Sequence, residues 1–176
     1  MGMDRISPGS RTALVIVDMQ ERFRGNYEDP EKEWNVPVSV INRVSEAYRA
    51  AGQPVVLLRM EGPCACHPWD GPETDRYVDE LVTADSDIRI LKTHMSGFRD
   101  TELAAVLRGR GCDSVVICGT LTNMCVMNTY FSAFDNDFIP YLLRNGTICN
   151  KKGANEAAYL ICSTVDADHV IDYING

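Results

Sequence analysis

The chain has 176 residues, 45% of them hydrophobic and 24% charged, which suits one globular domain with its own core and excludes a disordered chain. Seventeen Lys+Arg stand against 25 Asp+Glu, a formal charge of −8 with no basic run, so nucleic acid is not an expected partner. The apolar runs, such as 13–17 and 138–143, fall far short of the ~20 residues of a membrane helix, and residues 1–12 hold no apolar signal-peptide core. A cytoplasmic chain with no membrane partner is therefore expected. The seven cysteines are odd in number and irregularly spaced, which fits a reducing compartment better than a disulfide framework.

In chain order, Thr12 to Val17 is a continuous apolar run that stops at Asp18 and predicts a strand. Val40, Ile41, Val44, Ala47, Tyr48 and Ala51 share a helical face, with Gly52 as the stop signal and Pro54 opening a second strand, Val55 to Arg59. A loop rich in Pro, Gly and Cys covers 61–72. Ile88 to Leu91 predicts a third strand. Asp100 is placed to cap a helix carrying Leu103, Val106 and Leu107. Ser114 to Cys118 predicts a fourth strand ended by Gly119, and 122–136 a helix. Ile139 to Leu143, Ala154 to Cys162 and His169 to Tyr173 predict a fifth strand, a helix and a sixth strand. No linker or repeat interrupts the chain, so 1–176 reads as a single domain.

Apolar strands alternating with helices predict a parallel sheet covered on both faces. Ligands of such sheets bind at the carboxyl ends of the strands, where strand order reverses. Asp18 follows the first strand, Lys92 the third, and Gly119-Thr120-Leu121-Thr122-Asn123-Met124-Cys125 the fourth. Cys125 opens the predicted helix, where partial positive charge and unpaired N–H groups favour a thiolate and can hold an oxyanion. Asp18 can accept a thiol proton, and Lys92 can hold the developing charge. Each residue alone has an ordinary alternative: a buried core cysteine, a turn aspartate, a surface lysine. Placed at strand exits, Asp18 and Lys92 are expected to add little to the core. Cys64-Ala65-Cys66-His67 gathers soft ligand types, but no second ligand pair stands at zinc spacing. Neither a dinucleotide fingerprint nor a P-loop is present.

Three segments carry a resemblance: Ala13 to Phe23 (ALVIVDMQERF), Lys92 to Phe98 (KTHMSGF) and Val115 to Val126 (VVICGTLTNMCV). In order and spacing they resemble the Asp, Lys and Cys motifs of the isochorismatase-like cysteine hydrolases. The resemblance implies a three-layer α/β/α fold whose six parallel strands run in the order 3-2-1-4-5-6. It implies an Asp18–Lys92–Cys125 triad and a cis peptide at Thr120–Leu121. The resemblance implies that this bond turns the Leu121 N–H towards an oxyanion site beside the Cys125 N–H. The implied activity is hydrolysis of a C–N bond, amide or carbamoyl, in a small molecule through a thioester. Phe23 and Trp69 are expected to shape the substrate pocket. Nicotinamidase-type members carry an Asp/His metal cluster after the second strand. Here residues 59–67 hold one His, so neither a metal nor another cofactor is expected. A vinyl-ether hydrolase using Asp18 as acid is the second reading, and a non-catalytic interaction protein the third. The resemblance also implies a homo-oligomer.

Overall fold

The structure is a computed structural model that describes residues 5–27, 30–63 and 71–176. Its six strands are β1 (Thr12–Val17), β2 (Val55–Met60), β3 (Ile88–Lys92), β4 (Ser114–Thr120), β5 (Ile139–Ile148) and β6 (Thr164–Val165). All neighbours pair in parallel, in the order β3-β2-β1-β4-β5-β6. Helices α1 (Pro30–Ala50), α2 (Leu103–Gly109), α3 (Met127–Asp135), α4 (Ala154–Ile161) and α5 (Ala167–Asn175) flank the sheet, which gives the expected three layers. No helix among the described residues is long and apolar enough to cross a membrane.

The central strands are legible because both their faces are covered. Every residue of β1 and β4 is buried, and Val15 lies beside Val56 on one side and Ile117 on the other. Alternating polarity would require one face in water, so the sequence reads as an unbroken apolar run. From β1 the chain builds outward to β2 and β3, then returns to lay β4 on β1's other side. Strand order therefore reverses between β1 and β4, the point in such sheets where ligands bind at the carboxyl ends of the strands. Gly119 brings the two backbones together there. Its φ is +109°, and a Cβ would lie 2.1 Å from the Val17 carbonyl oxygen.

Several elements differ from expectation. The sixth strand is not His169 to Tyr173 but the two residues Thr164–Val165, paired with Leu142 and Leu143. His169 to Tyr173 lies inside α5, because the Asp166 side chain accepts the His169 N–H at 2.8 Å and caps a helix there. Ala167 and Val170, three apart, then bury one helical face. Asp100 does not cap α2: it has φ +55°, and the Thr101 hydroxyl accepts the Leu103 N–H instead, at 3.3 Å. β4 continues through Gly119 to Thr120, and β5 reaches Ile148 after a register shift against β4. The helix expected over 122–136 divides into a π turn, Thr122–Val126, and α3.

Candidate active site

Asp18 is the first residue beyond β1. Its N–H still donates to the Leu58 carbonyl at 3.1 Å, but its φ of +49° breaks the strand and swings the chain away. Lys92 is the last residue of β3, level with Met60 of the intervening β2. Across the end of β2 the Lys92 Nζ reaches Asp18 Oδ2 at 2.6 Å, and it donates to the His94 carbonyl at 3.0 Å. Both side chains are 0% exposed. Cys125 arrives from β4, in a π turn whose Leu121 carbonyl accepts N–H groups from Met124 at 3.0 Å and Val126 at 3.2 Å. Cys125 is 3% exposed, with its thiol within hydrogen-bond reach of both Asp18 and Lys92.

The electrostatics follow from this burial. Loss of water pushes the Asp18 carboxyl above its usual 3.8, and the Lys92 charge beside it does not undo the rise. Burial works against the Lys92 ammonium too, yet the Asp18 charge and the Cys125 thiol outweigh it and hold Lys92 above 10.5. The cluster thus couples a thiol to a carboxylate made more basic than an ordinary aspartate, next to a fixed cation. Such an arrangement can move the thiol proton and stabilise negative charge on sulfur.

The three residues singled out at strand exits therefore meet. The expectation that Asp18 and Lys92 contribute little to the core does not hold, since both are sealed within it. The Thr120–Leu121 peptide is cis, and Leu121 is 7% exposed. Phe23, 3% exposed, lies in the 3-10 turn Glu21–Asn26 that follows Asp18, with the Arg22 guanidinium 5.2 Å from its ring centroid. Trp69 and the Cys64–His67 stretch lie outside the described residues.

Sequence reasoning missed the residues that brace the site. Gln20 Nε2 donates to the carbonyls of Met60 at 2.9 Å and Asp75 at 2.8 Å, while its Oε1 accepts the Met60 N–H at 2.8 Å. Arg22 Nη1 donates to the Gly62 carbonyl at 2.8 Å and to Asp75 Oδ1 at 2.9 Å. These bonds tie the segment after β1 to the end of β2 and to the Pro72–Asp75 turn. A polar pair directly after an apolar strand was the only signal, and it does not say which backbone the side chains find.

The sequence matches the isochorismatase domain model over residues 12–162. The chain belongs to the isochorismatase family. It is 33% identical over 140 residues to the isochorismatase family protein YecD of Escherichia coli O157:H7, covering 72% of this chain and 74% of that one. It is 29% identical over 178 residues to the ureidoacrylate amidohydrolase RutB of Pseudomonas syringae pv. syringae, covering 81% of this chain and 72% of the relative. Its fold matches the crystal structure of a cysteine hydrolase from Pseudomonas syringae pv. phaseolicola with a TM-score of 0.82 at 21% identity, over 94% of this chain and 92% of that one. The chain is an isochorismatase-family hydrolase, and the buried Asp18–Lys92–Cys125 cluster sits at the switch point of that fold.

Proposed function

We propose that this isochorismatase-family hydrolase cleaves a C–N bond, amide or carbamoyl, in a small molecule, with Cys125 as nucleophile. The observation that carries the reading is the contact of one thiol with a buried carboxylate–ammonium pair 2.6 Å across. The amidohydrolase name of the RutB relative supports the same bond class. Asp18 takes the Cys125 proton, and the sulfur attacks the substrate carbonyl carbon. The oxyanion is held by the Leu121 and Cys125 N–H groups. The tetrahedral adduct collapses to a thioester. Ammonia or an amine departs with the proton that Asp18 returns. Water then gives a proton to Asp18 and attacks the thioester, releasing the acid and the Cys125 thiol. Lys92 stays protonated throughout and keeps Asp18 and the sulfur in charge balance. Phe23 forms part of the pocket wall.

The test is ammonia release from a panel of small amides and ureido compounds, by the wild type and by Cys125→Ala. Turnover by the wild type that vanishes in Cys125→Ala is expected. Ammonia release that survives in Cys125→Ala overturns Cys125 as the nucleophile.

A further inference from the structure

We propose that Asn155 is a positioning residue that sets the turn carrying Cys125, acting through the Thr122 hydroxyl. The inference rests on Cys125 being the nucleophile. A single π turn, bonded i to i+5, is an uncommon backbone state that its surroundings must maintain. This one has no side chain capping its start. Its support comes from the end of β5, the loop after it and the first turn of α4. Thr122, 0% exposed, donates its hydroxyl to Asn155 Oδ1 at 2.6 Å. The other end of the same amide, Nδ2, donates to the Thr147 carbonyl in β5 at 3.2 Å. The Asn155 amide is thus spanned between the sheet and the turn, with both ends engaged. A second hold stands beside it: the Cys149 thiol donates to Asn123 Oδ1 at 2.9 Å, and the Lys151 N–H donates to the Cys149 sulfur at 3.4 Å. The two residues that open the turn, Thr122 and Asn123, are therefore both fixed from outside it. They lie three and two residues before Cys125, so a shift in either carries the thiol away from Asp18 and Lys92. Misplacement of a reacting group by about 1 Å costs ~10²-fold in rate.

The experiment compares Asn155→Ala, Thr122→Val, their double variant, and Thr122→Ser, which keeps the hydroxyl. Four quantities are read: kcat and KM on an amide found in the panel, the rate of iodoacetamide alkylation mapped to Cys125 at pH 7, and the thermal midpoint. Asn155→Ala and Thr122→Val are each expected to lower kcat roughly 10- to 100-fold with KM within about twofold, and to slow alkylation of Cys125. The double variant should be no worse than either single, because one interaction is removed. Thr122→Ser should match the wild type. Folded Asn155→Ala with wild-type kcat and wild-type alkylation overturns the inference, as do losses that multiply in the double variant. The alkylation rate needs no turnover, so it separates failure here from failure of the nucleophile assignment, which Cys125→Ala reports.

Discussion

Lys92→Met removes one half of a fully buried ion pair and leaves the Asp18 carboxylate without its cation. With both side chains at 0% exposure and 2.6 Å apart, neither charge has water to fall back on. Breaking such a pair by deleting one partner costs about 3–5 kcal/mol. At ~2–4 °C per kcal/mol for a chain of this size, the thermal midpoint should fall by about 6–20 °C. Asp18→Asn strands the ammonium instead, but Lys92 keeps its hydrogen bond to the His94 carbonyl, so its loss should sit at the lower end of that range. The decisive variant carries both substitutions. With no charge left to strand, Asp18→Asn/Lys92→Met should recover most of the stability, ending within ~1–2 kcal/mol of the wild type. All three variants should lack turnover. Urea melts followed by circular dichroism at pH 7 measure the cycle, beside ammonia release. If the double variant loses the sum of the two single losses, the charges do not compensate each other and the account of the site is wrong.

Because burial raises the Asp18 carboxyl, the acid limb of kcat/KM should lie above 3.8, and a limb at or below that value refutes Asp18 as proton acceptor. Urea midpoints should show the linked stability: a raised carboxyl contributes most below 3.8 and loses this as pH climbs through its folded value, whereas the raised Lys92 contributes below 10.5 and loses it above. Asp75→Ala should cost about 3–5 kcal/mol in urea melts, since it strands the Arg22 guanidinium, whose side chain is 1% exposed; a loss under ~1 kcal/mol refutes this. Gly119→Ala should leave no folded protein in the soluble fraction, its Cβ being 2.1 Å from the Val17 carbonyl oxygen, a loss above ~4 kcal/mol. Phe131, Phe134, Leu160 and Ile161 are 47–69% exposed on α3 and α4, and sedimentation at micromolar concentration should show a species heavier than 19.6 kDa; only that mass would refute a homo-oligomer.

What could be read from the sequence follows what burial imposes locally. The strands β1, β2 and β4 announce themselves because parallel strands covered on both faces must be apolar throughout. The sheet's far edge does not: β6 is two residues long, too short for any periodicity, and His169 to Tyr173 offers an apolar pair that a strand could also use. Asp166, three residues before His169, held the answer as a cap. The site was legible as three chemical types at three strand exits, since the topology sends those exits to one edge. Its burial was not. A lysine considered alone belongs in water, and Lys92 is sealed only because Asp18, distant in sequence, stands two strands away. Gln20, Arg22 and Asn155 were invisible for a further reason. Their partners are backbone groups of other segments, which have no residue identity to read, or side chains distant in sequence, Asp75 for Arg22 and Thr122 for Asn155.

Burial by itself silences a thiol, and this fold shows that on Cys112, Cys118 and Cys162. Cys118 lies in β4 with its sulfur 3.7 Å from the Val15 carbonyl oxygen, and loss of water pushes it far above the ordinary thiol range. Cys162 is pushed up to about 11 and Cys112 is raised, both chiefly by burial. Cys125 is as closed to solvent as these, at 3% exposure, yet it alone among them touches a carboxylate and an ammonium. Charge partners, not accessibility, separate it from the rest. Those partners depend on where the strands stop. Side chains alternate between faces along a strand, so an aspartate one residue earlier in β1 would point to the opposite side of the sheet. Asp18 escapes that alternation by its φ of +49°, just past the last paired residue, and the close approach at Gly119 lets the following turn carry Cys125 back over it. The distinctness of Cys125 is thus a property of the sheet's exits rather than of the cysteine.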